Sequence, residues 1–413
     1  MSTSQMRQRL LIVGGSYAAC ELASHARENG YGEDILIVSE EPELPYHRPP
    51  LSKTYLKDQT AKAEPLKAEA FYAPKKIDLK LGATVTGFDP GAKTALLSDG
   101  SRIAFDTLAL AVGARARKLA CEGAELGNVF DLRSVADARF LRTAAVDAEN
   151  VVIVGGGFIG LEIASALVQL QKQVTVIEAE NRVLARVVAP ELSHFFSSAH
   201  TARGVKLLTS RTVKSLVGES GIVHKVVLDN GRSVNADIVI VGIGSIPNVE
   251  LTRQLGLAGD SGIVVDSRSR TSRENVFAAG DCALFRGPFN LGGLRLESVQ
   301  NAIDQSRVAG AVIAGADKAY AALPWFWSDQ YGLKLQIAGL PTGATERVVR
   351  PGTASDISVL HFLGDVCICV ESVNRAREHM SARRLLAAGD VTKRALLDVD
   401  FDIAELLRRR SQQ

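Results

Sequence analysis

The stretch Val151–Glu178, VVIVGGGFIGLEIASALVQLQKQVTVIE, limits what this chain can fold into more than any other. Val151–Val154 is a short apolar, β-branched run with the composition of a buried parallel strand. Gly155, Gly157 and Gly160 follow in the spacing G-x-G-x-x-G. A helix is expected over Leu161–Leu170 and a second strand over Val174–Ile177, ending in Glu178. In such a βαβ unit the first glycine allows a tight turn and the second lets backbone approach a pyrophosphate. The third lets the helix lie close on the strand. The helix N-terminus offers free N–H groups and the positive end of its dipole to the anion. Glu178 stands where a carboxylate accepts hydrogen bonds from a ribose 2′-OH and repels a 2′-phosphate. The unit therefore reads as a site for NAD rather than NADP. A glycine-rich turn in an unrelated α/β protein would require only the glycines, whereas here both strands, the helix and the acid accompany them.

Leu10–Glu40 is a second, degenerate copy. Leu11–Val13 is its strand, Glu21–Glu28 lies in its helix, and Ile35–Val38 is the next strand, with Glu40 just past its end. The fingerprint runs Gly14-Gly15-Ser16-Tyr17-Ala18-Ala19, with Ser16 for the second glycine and Ala19 for the third. Ala is accepted at the third position. Ser16 puts a side chain where backbone should approach phosphate, although its hydroxyl can donate to one. Two such sites in one chain suggest two dinucleotides, the usual arrangement of a flavin and a nicotinamide.

The remaining composition excludes more than it proves. A chain of 413 residues suggests two or three domains. Its net charge of +2 marks no nucleic-acid binder. The opening MSTSQMRQRL leads straight into a strand without the apolar core of a signal peptide, and no apolar run reaches membrane-spanning length. Five cysteines, Cys20, Cys121, Cys282, Cys367 and Cys369, form neither a C-x-x-C motif nor a metal set. A reducing, cytoplasmic setting is therefore expected, with no metal. Cys367 and Cys369 alternate along a strand-like run and are expected to face the same way as buried thiols.

Between and after the two units the chain reads as follows. Pro45-Tyr46-His47-Arg48-Pro49-Pro50-Leu51-Ser52-Lys53 is a proline-stiffened turn that brings two cations near the first site, with His47 structural or exposed. Leu96–Gly100 and Ile103–Asp106 suggest a hairpin with an Asp-Gly turn. Thr107–Val112 is another buried strand, and Gly113–Arg133 reads as an irregular crossover. Glu191–Arg203 is a helix, Ala236–Val241 a strand closed by GIGSIPN, and Asn275–Ala279 leads into Gly280-Asp281-Cys282-Ala283. An acid after a glycine at a strand end suits hydroxyls of a sugar alcohol. Glu297–Ala314 is a helix with Ser298 near its N-cap. From about Leu323 the character changes. Both tryptophans lie in Pro324-Trp325-Phe326-Trp327-Ser328-Asp329-Gln330, then alternating strands follow (335–339, 357–363, 366–373), and helices near 377–388 and 403–409.

The blocks PYHRPPLSK, GGGFIGLEIAS, GIGSIPN, VFAAGDCA, RLESVQNA and PWFWSDQ together resemble the FAD-dependent, NADH-linked ferredoxin reductases that serve Rieske dioxygenases and bacterial cytochromes P450. The resemblance runs from about Leu10 to Leu386. It implies an α/β fold of the glutathione-reductase-like flavoprotein type, with two Rossmann-like dinucleotide-binding domains and an α+β C-terminal domain. The implied boundaries are an FAD-binding domain over 1–113 and 245–322, an NAD-binding domain over 114–244, and a ferredoxin-reductase-type C-terminal domain over 323–413. It implies FAD contacts at Ala18, Glu40, Arg48, Lys53, Val85, Arg133, Asp281, Val299 and Trp327, beside the fingerprint Gly14 and the strand-end Gly280. NAD contacts are implied at Ile159, Glu178, Arg186 and Gly244, beside Gly155, Gly157 and Gly160. Lys53 and Glu162, ion-paired near the flavin N5, and Trp327 at the flavin edge are the expected catalytic residues. The related disulfide reductases carry C-x-x-x-x-C early in the flavin domain; here the comparable Pro49–Lys53 has no cysteine. Electrons should therefore pass from NADH through FAD directly to an acceptor.

Three functions fit. The first is reduction of an acidic [2Fe–2S] ferredoxin, docked transiently on a basic rim of Arg307, Arg375, Arg377, Arg383, Arg384, Lys393 and Arg394 near Trp327. The second is reduction of a small molecule such as a quinone, an ascorbate radical or dioxygen. The third reading is an interaction flavoprotein like apoptosis-inducing factor, against which the absence of a targeting segment and of a strongly basic patch argues.

Overall fold

The computed structural model describes residues 9–257, 259, 261–287, 290–389 and 391–412; the segment ahead of Arg9 in the sequence reading lies outside them. The chain divides into two compact units, one of Met1–His47, Glu64–Arg115 and Ile246–Ala322, the other of Arg48–Ala63, Ala116–Ser245 and Leu323–Gln413.

The first unit is built on a parallel sheet in the order Val276–Ala278, Thr107–Leu110, Arg9–Val13, Asp34–Val38, Ile77–Lys80. Its central strand is buried almost throughout, as a strand covered on both faces must be. The Tyr17–Glu28 helix leaves directly from the end of that strand and packs against the Val299–Ile313 helix. Gly310 permits the approach, since a Cβ there would fall 2.5 Å from the Leu22 carbonyl oxygen. The expected Asp-Gly hairpin joins Thr94–Leu97 to Arg102–Ala104, with Gly100 at φ +81°.

The second unit repeats the plan. Its parallel sheet runs Lys206–Leu208, Gln173–Ile177, Asn150–Val154, Ile238–Val241, Val129–Asp131. The C-terminal part adds an antiparallel sheet in the order Trp325–Gln330, Leu333–Gly339, Val366–Val373, Ile357–Leu363, Glu346–Arg350. The Ala376–Ala388 and Ile403–Arg410 helices join one face of it through Leu385, Leu386, Ile403 and Leu406.

Two expectations are corrected, and one strand is added. The Gly113–Arg133 crossover holds two short strands, and one of them, Val129–Asp131, pairs with Ile238–Val241 at the open edge of the sheet. Three residues are too few to show a period in the sequence. Glu346–Arg350 is an edge strand hidden in the sequence by three charged residues among its five. Cys367 and Cys369 do not face the same way. Opposite His361 and Phe362 the register slips, so that His361 pairs with Cys369 and Phe362 with Cys367, leaving Ile368 as the extra residue. The bulge turns Cys367 into the core with Leu360 and Phe362, and Cys369 into the one with Leu335 and Val359.

Candidate functional site

Both glycine fingerprints form the same strand–turn–helix corner. The Gly14 N–H donates to the Val38 carbonyl and the Gly155 N–H to that of Ile177, both at 2.8 Å. Each glycine has positive φ, and a Cβ would strike a neighbouring strand end, the Ala111 oxygen at 2.1 Å or the Gly242 oxygen at 2.3 Å. Gly160 does what the third glycine must, for a Cβ there would lie 2.1 Å from the Gly155 oxygen. Gly157 is different: a Cβ on it would meet nothing within 4 Å, so this glycine faces open space. Ser16, its counterpart, has φ −132° and ψ −160°, extended backbone that a serine adopts without strain.

The two helices that start at these corners share a feature. Neither Tyr17–Glu28 nor Phe158–Gln169 has a side chain capping its N-terminus, and neither carries an acid in its first turn. By contrast, Val135–Asp147 has a capping box of Ser134 and Asp137, and Ile403–Arg410 is capped by Asp402. Uncapped first-turn amides with no acid in the turn itself are the pattern of an anion site.

At the second corner both Glu178 oxygens are engaged. Oε2 accepts from the Gly156 N–H at 2.6 Å and Oε1 from the Glu180 N–H at 2.8 Å, which anchors the carboxylate beside the glycine loop. In the first unit, register places Ser39, not Glu40, at the equivalent position; Glu40 is one residue further on and exposed. The other expected residues are placed as follows, each within its own unit. Gly280, at φ +80°, abuts Ala18, its Cβ position lying 3.1 Å from the alanine methyl, while its N–H donates to Gln305 Oε1 at 2.9 Å. The neighbouring Asp281 carbonyl accepts from Arg295, and Val299 opens the Ser298-capped helix. Val85 lies in the core of its hairpin sheet. In the second unit, Arg48 Nη1 donates to the Arg133 carbonyl at 2.7 Å, Arg186 lies beside Gly244, and Ile159 stands exposed on the first turn of its helix.

Lys53 and Glu162 meet. Lys53 Nζ lies 2.6 Å from Glu162 Oε2, and the carboxylate is 4% exposed. Ser52 Oγ donates to the same oxygen at 2.5 Å and Ser328 Oγ to Oε1 at 2.7 Å. The two serines were not anticipated. Ser328 had a faint signal, as a small polar residue following Trp-Phe-Trp and sharing the face of Phe326 on an extended strand. Phe326 stacks on Phe158 at 4.5 Å between centroids, which brings Ser328 to the Phe158–Gln169 helix. Trp327 lies on the other face with Trp325, ring centroids 5.5 Å apart, and the Arg383 guanidinium sits 4.2 Å from the Trp325 ring centre. His47, left as structural or exposed, is half-buried and its Nδ1 lies 2.9 Å from Tyr17 Oη.

The expected basic rim does not stand as drawn, because several of its cations are neutralised within their own units. Arg307 pairs with Glu21 at 2.9 Å, Arg375 with Asp356 at 2.9 Å, and Lys393 with Glu346 at 2.6 Å. All five cysteines are free, and Cys121 alone is not buried. One group of ligand-type side chains does converge: His361, Cys369 and Glu371 bring one such atom each within 4.8 Å of one another. His361 Nε2 lies 3.2 Å from Glu371 Oε1, and the Ala189 N–H donates to the other Glu371 oxygen. No helix among the described residues is long and apolar enough to cross a membrane.

Against known proteins, residues 8–306 match the model of the pyridine nucleotide-disulphide oxidoreductases and residues 325–407 that of a reductase C-terminal domain. The chain belongs to the pyridine nucleotide-disulphide oxidoreductase family. It is 41% identical to rhodocoxin reductase of Rhodococcus erythropolis, over 97% of this chain and 94% of that one. The solved ferredoxin reductase of the CYP199A2 system from Rhodopseudomonas palustris superposes with a TM-score of 0.92 at 37% identity, covering 96% of this chain and 99% of that one. A covalent putidaredoxin reductase–putidaredoxin complex gives 0.92 at 34%, covering 98% and 99%.

An enzyme of this family uses FAD and NADH, and the residues present fit both. Each unit offers one uncapped helix N-terminus at a glycine corner, and the open space in front of Gly157 leaves room for a pyrophosphate at the second.

Proposed function

We propose that this chain is an NADH-dependent flavoprotein reductase that delivers electrons singly to a [2Fe–2S] ferredoxin serving a cytochrome P450 or Rieske oxygenase. The observation that carries this reading is the buried Lys53–Glu162 pair. Its Lys53 lies in the stretch where disulfide reductases of the same family keep their cysteines. The segments 1–113 and 245–322 act as the FAD-binding domain, 114–244 as the NAD-binding domain and 323–413 as the domain characteristic of these reductases. FAD contacts are assigned to Gly14, Ala18, Glu40, Arg48, Lys53, Val85, Arg133, Gly280, Asp281, Val299 and Trp327. Those to NADH are assigned to Gly155, Gly157, Ile159, Gly160, Glu178, Arg186 and Gly244.

When bound, the flavin supplies the conversion between a two-electron hydride donor and one-electron acceptors. The protein's part is geometry and charge. Glu178 accepts hydrogen bonds from the adenosine ribose and excludes a 2′-phosphate. Glu162, fixed by three donors, holds the Lys53 ammonium in one place, where it stabilises negative charge on a reduced ring. The uncapped helix ends hold the pyrophosphates. Trp327 and Arg383 lie on the acceptor side, where an acidic ferredoxin docks transiently. The setting is cytoplasmic.

The test is NADH-driven cytochrome c reduction with and without an added [2Fe–2S] ferredoxin. Stimulation of at least tenfold by the ferredoxin is expected. Equal rates with and without it, alongside rapid turnover with a quinone, would favour the small-acceptor reading.

A further inference from the structure

Behind Glu162 and Ser328 lies a line of polar groups, Gln330, His200 and Tyr331, that no part of the proposed chemistry uses. Gln330 Nε2 lies 3.2 Å from Ser328 Oγ, His200 Nε2 lies 2.8 Å from Gln330 Oε1, and Tyr331 Oη lies 3.0 Å from His200 Nδ1. His200, Gln330 and Ser328 are each at most 1% exposed. All belong to the same compact unit as Lys53 and Glu162.

The direction of every hydrogen bond in this line follows from its end. An ionised carboxylate only accepts, so the single Ser328 proton points at Glu162. Ser328 must then accept from Gln330, which turns the Gln330 carbonyl toward His200. That carbonyl requires a donor, so the proton of the ring sits on Nε2. Nδ1 is left as an acceptor, and the Tyr331 hydroxyl donates to it. Burial pushes His200 down to about 4, so the ring is neutral and has only one proton to place.

We infer that His200 and Gln330 are positioning residues that, through Ser328, keep a hydroxyl donated to Glu162 and so fix the carboxylate against Lys53. The inference rests on the role given to the Lys53–Glu162 pair above. A ring with its proton on Nδ1 would turn the Gln330 amide around. The Ser328 proton would then be drawn to the Gln330 carbonyl, and Glu162 would lose one of its three donors. The C-terminal sheet thereby sets the geometry of a pair whose two members lie far earlier in the sequence.

Three measurements on the FAD-loaded protein test this. Nitrogen NMR of labelled histidine should show His200 as the Nε2–H tautomer; an Nδ1–H ring overturns the inference. Stopped-flow reduction by NADH should be slowed about tenfold by Ser328→Ala, the rate equivalent of one hydrogen bond to a charged group, and by a smaller factor by Gln330→Met, which leaves Ser328 its donation but removes the amide that holds the hydroxyl oxygen in place. Ser328→Thr, which keeps a hydroxyl, should restore it. In a Glu162→Leu background Gln330→Met should have no further effect on the rate, although any loss of thermal stability persists. Equal slowing in both backgrounds overturns the inference, since the residue would then act through the fold. A Glu162→Leu protein reduced at the parent rate overturns the role of the pair itself. Slowing by Glu162→Leu without slowing by Gln330→Met leaves that role standing and overturns this inference alone.

Discussion

Replacing Lys53 by Met should destabilise the unit that contains it by about 3 kcal/mol, more than its position near a surface loop suggests. The magnitude follows from what remains. Glu162 is 4% exposed, and Lys53 at 19% supplies its only counter-charge among the ion pairs of the described residues. Taking away one partner of a buried pair leaves a carboxylate that has lost its solvation and its cation together, at a cost of about 3–5 kcal/mol. The lower end applies here because Ser52 and Ser328 continue to donate to it. The same reasoning requires the double replacement Lys53→Met with Glu162→Leu to recover most of the loss, because no buried charge is then left behind. Both tryptophans lie in this unit, so the denaturant midpoint followed by their fluorescence reports on it directly. A Lys53→Met protein as stable as its parent would refute the argument, and so would a double variant no more stable than the single one.

Three further outcomes are expected. Glu178→Ala should narrow the preference for NADH over NADPH by about 1–3 kcal/mol in kcat/KM while also loosening the Gly156 loop it anchors; comparable kcat/KM for the two nucleotides in the parent would refute the reading. Burial and then the nearby Arg383 push His379 down to about 4 from 6.5, so the unfolded chain binds its proton first on acidification. Its contribution to stability is complete above pH 6.5 and is lost as pH falls toward 4, of order 2 kcal/mol. His379→Leu should accordingly lose less stability between pH 7 and 4.5 than the parent, and an equal loss would contradict this. A thiol-alkylating agent should label Cys121 alone in the native protein and leave flavin reduction by NADH intact, because burial raises the thiols of Cys282 and Cys367 to about 11 and 12; turnover lost in proportion to labelling would reveal a missed thiol step.

What could be read from the sequence and what could not divides along a physical line. The two βαβ units were legible because each compresses its constraints into one contiguous stretch. Gly14, Gly155 and Gly160 are demanded by backbone atoms within their own units, and the strands beside them are apolar runs buried on both faces. The three-residue strand at Val129 and the charged edge strand at Glu346 lacked that local signature, for their pairing is decided by a sheet edge supplied from elsewhere in the chain. The bulge at Ile368 is the sharpest case. One extra residue reverses the face of Cys367, and no rule of alternation detects it.

The candidate site shows the same division at the level of single side chains. Lys53 and Glu162 were singled out through a family resemblance, each on its own motif. Ser328, Gln330 and His200 were not, since their importance comes from a contact that the strand Trp325–Gln330 makes with a helix more than a hundred residues earlier. Polar residues in an otherwise apolar strand read locally as a solvated face. Here they are buried because Phe326, on the same face, stacks on Phe158 and draws the strand against the Glu162 helix. The aromatic contact thus does for Ser328 what the glycines do for the phosphate loops: it lets a polar group approach its partner closely enough to be useful. On that account the Phe158–Phe326 stack is part of the site, because it holds the strand where Ser328 reaches Glu162.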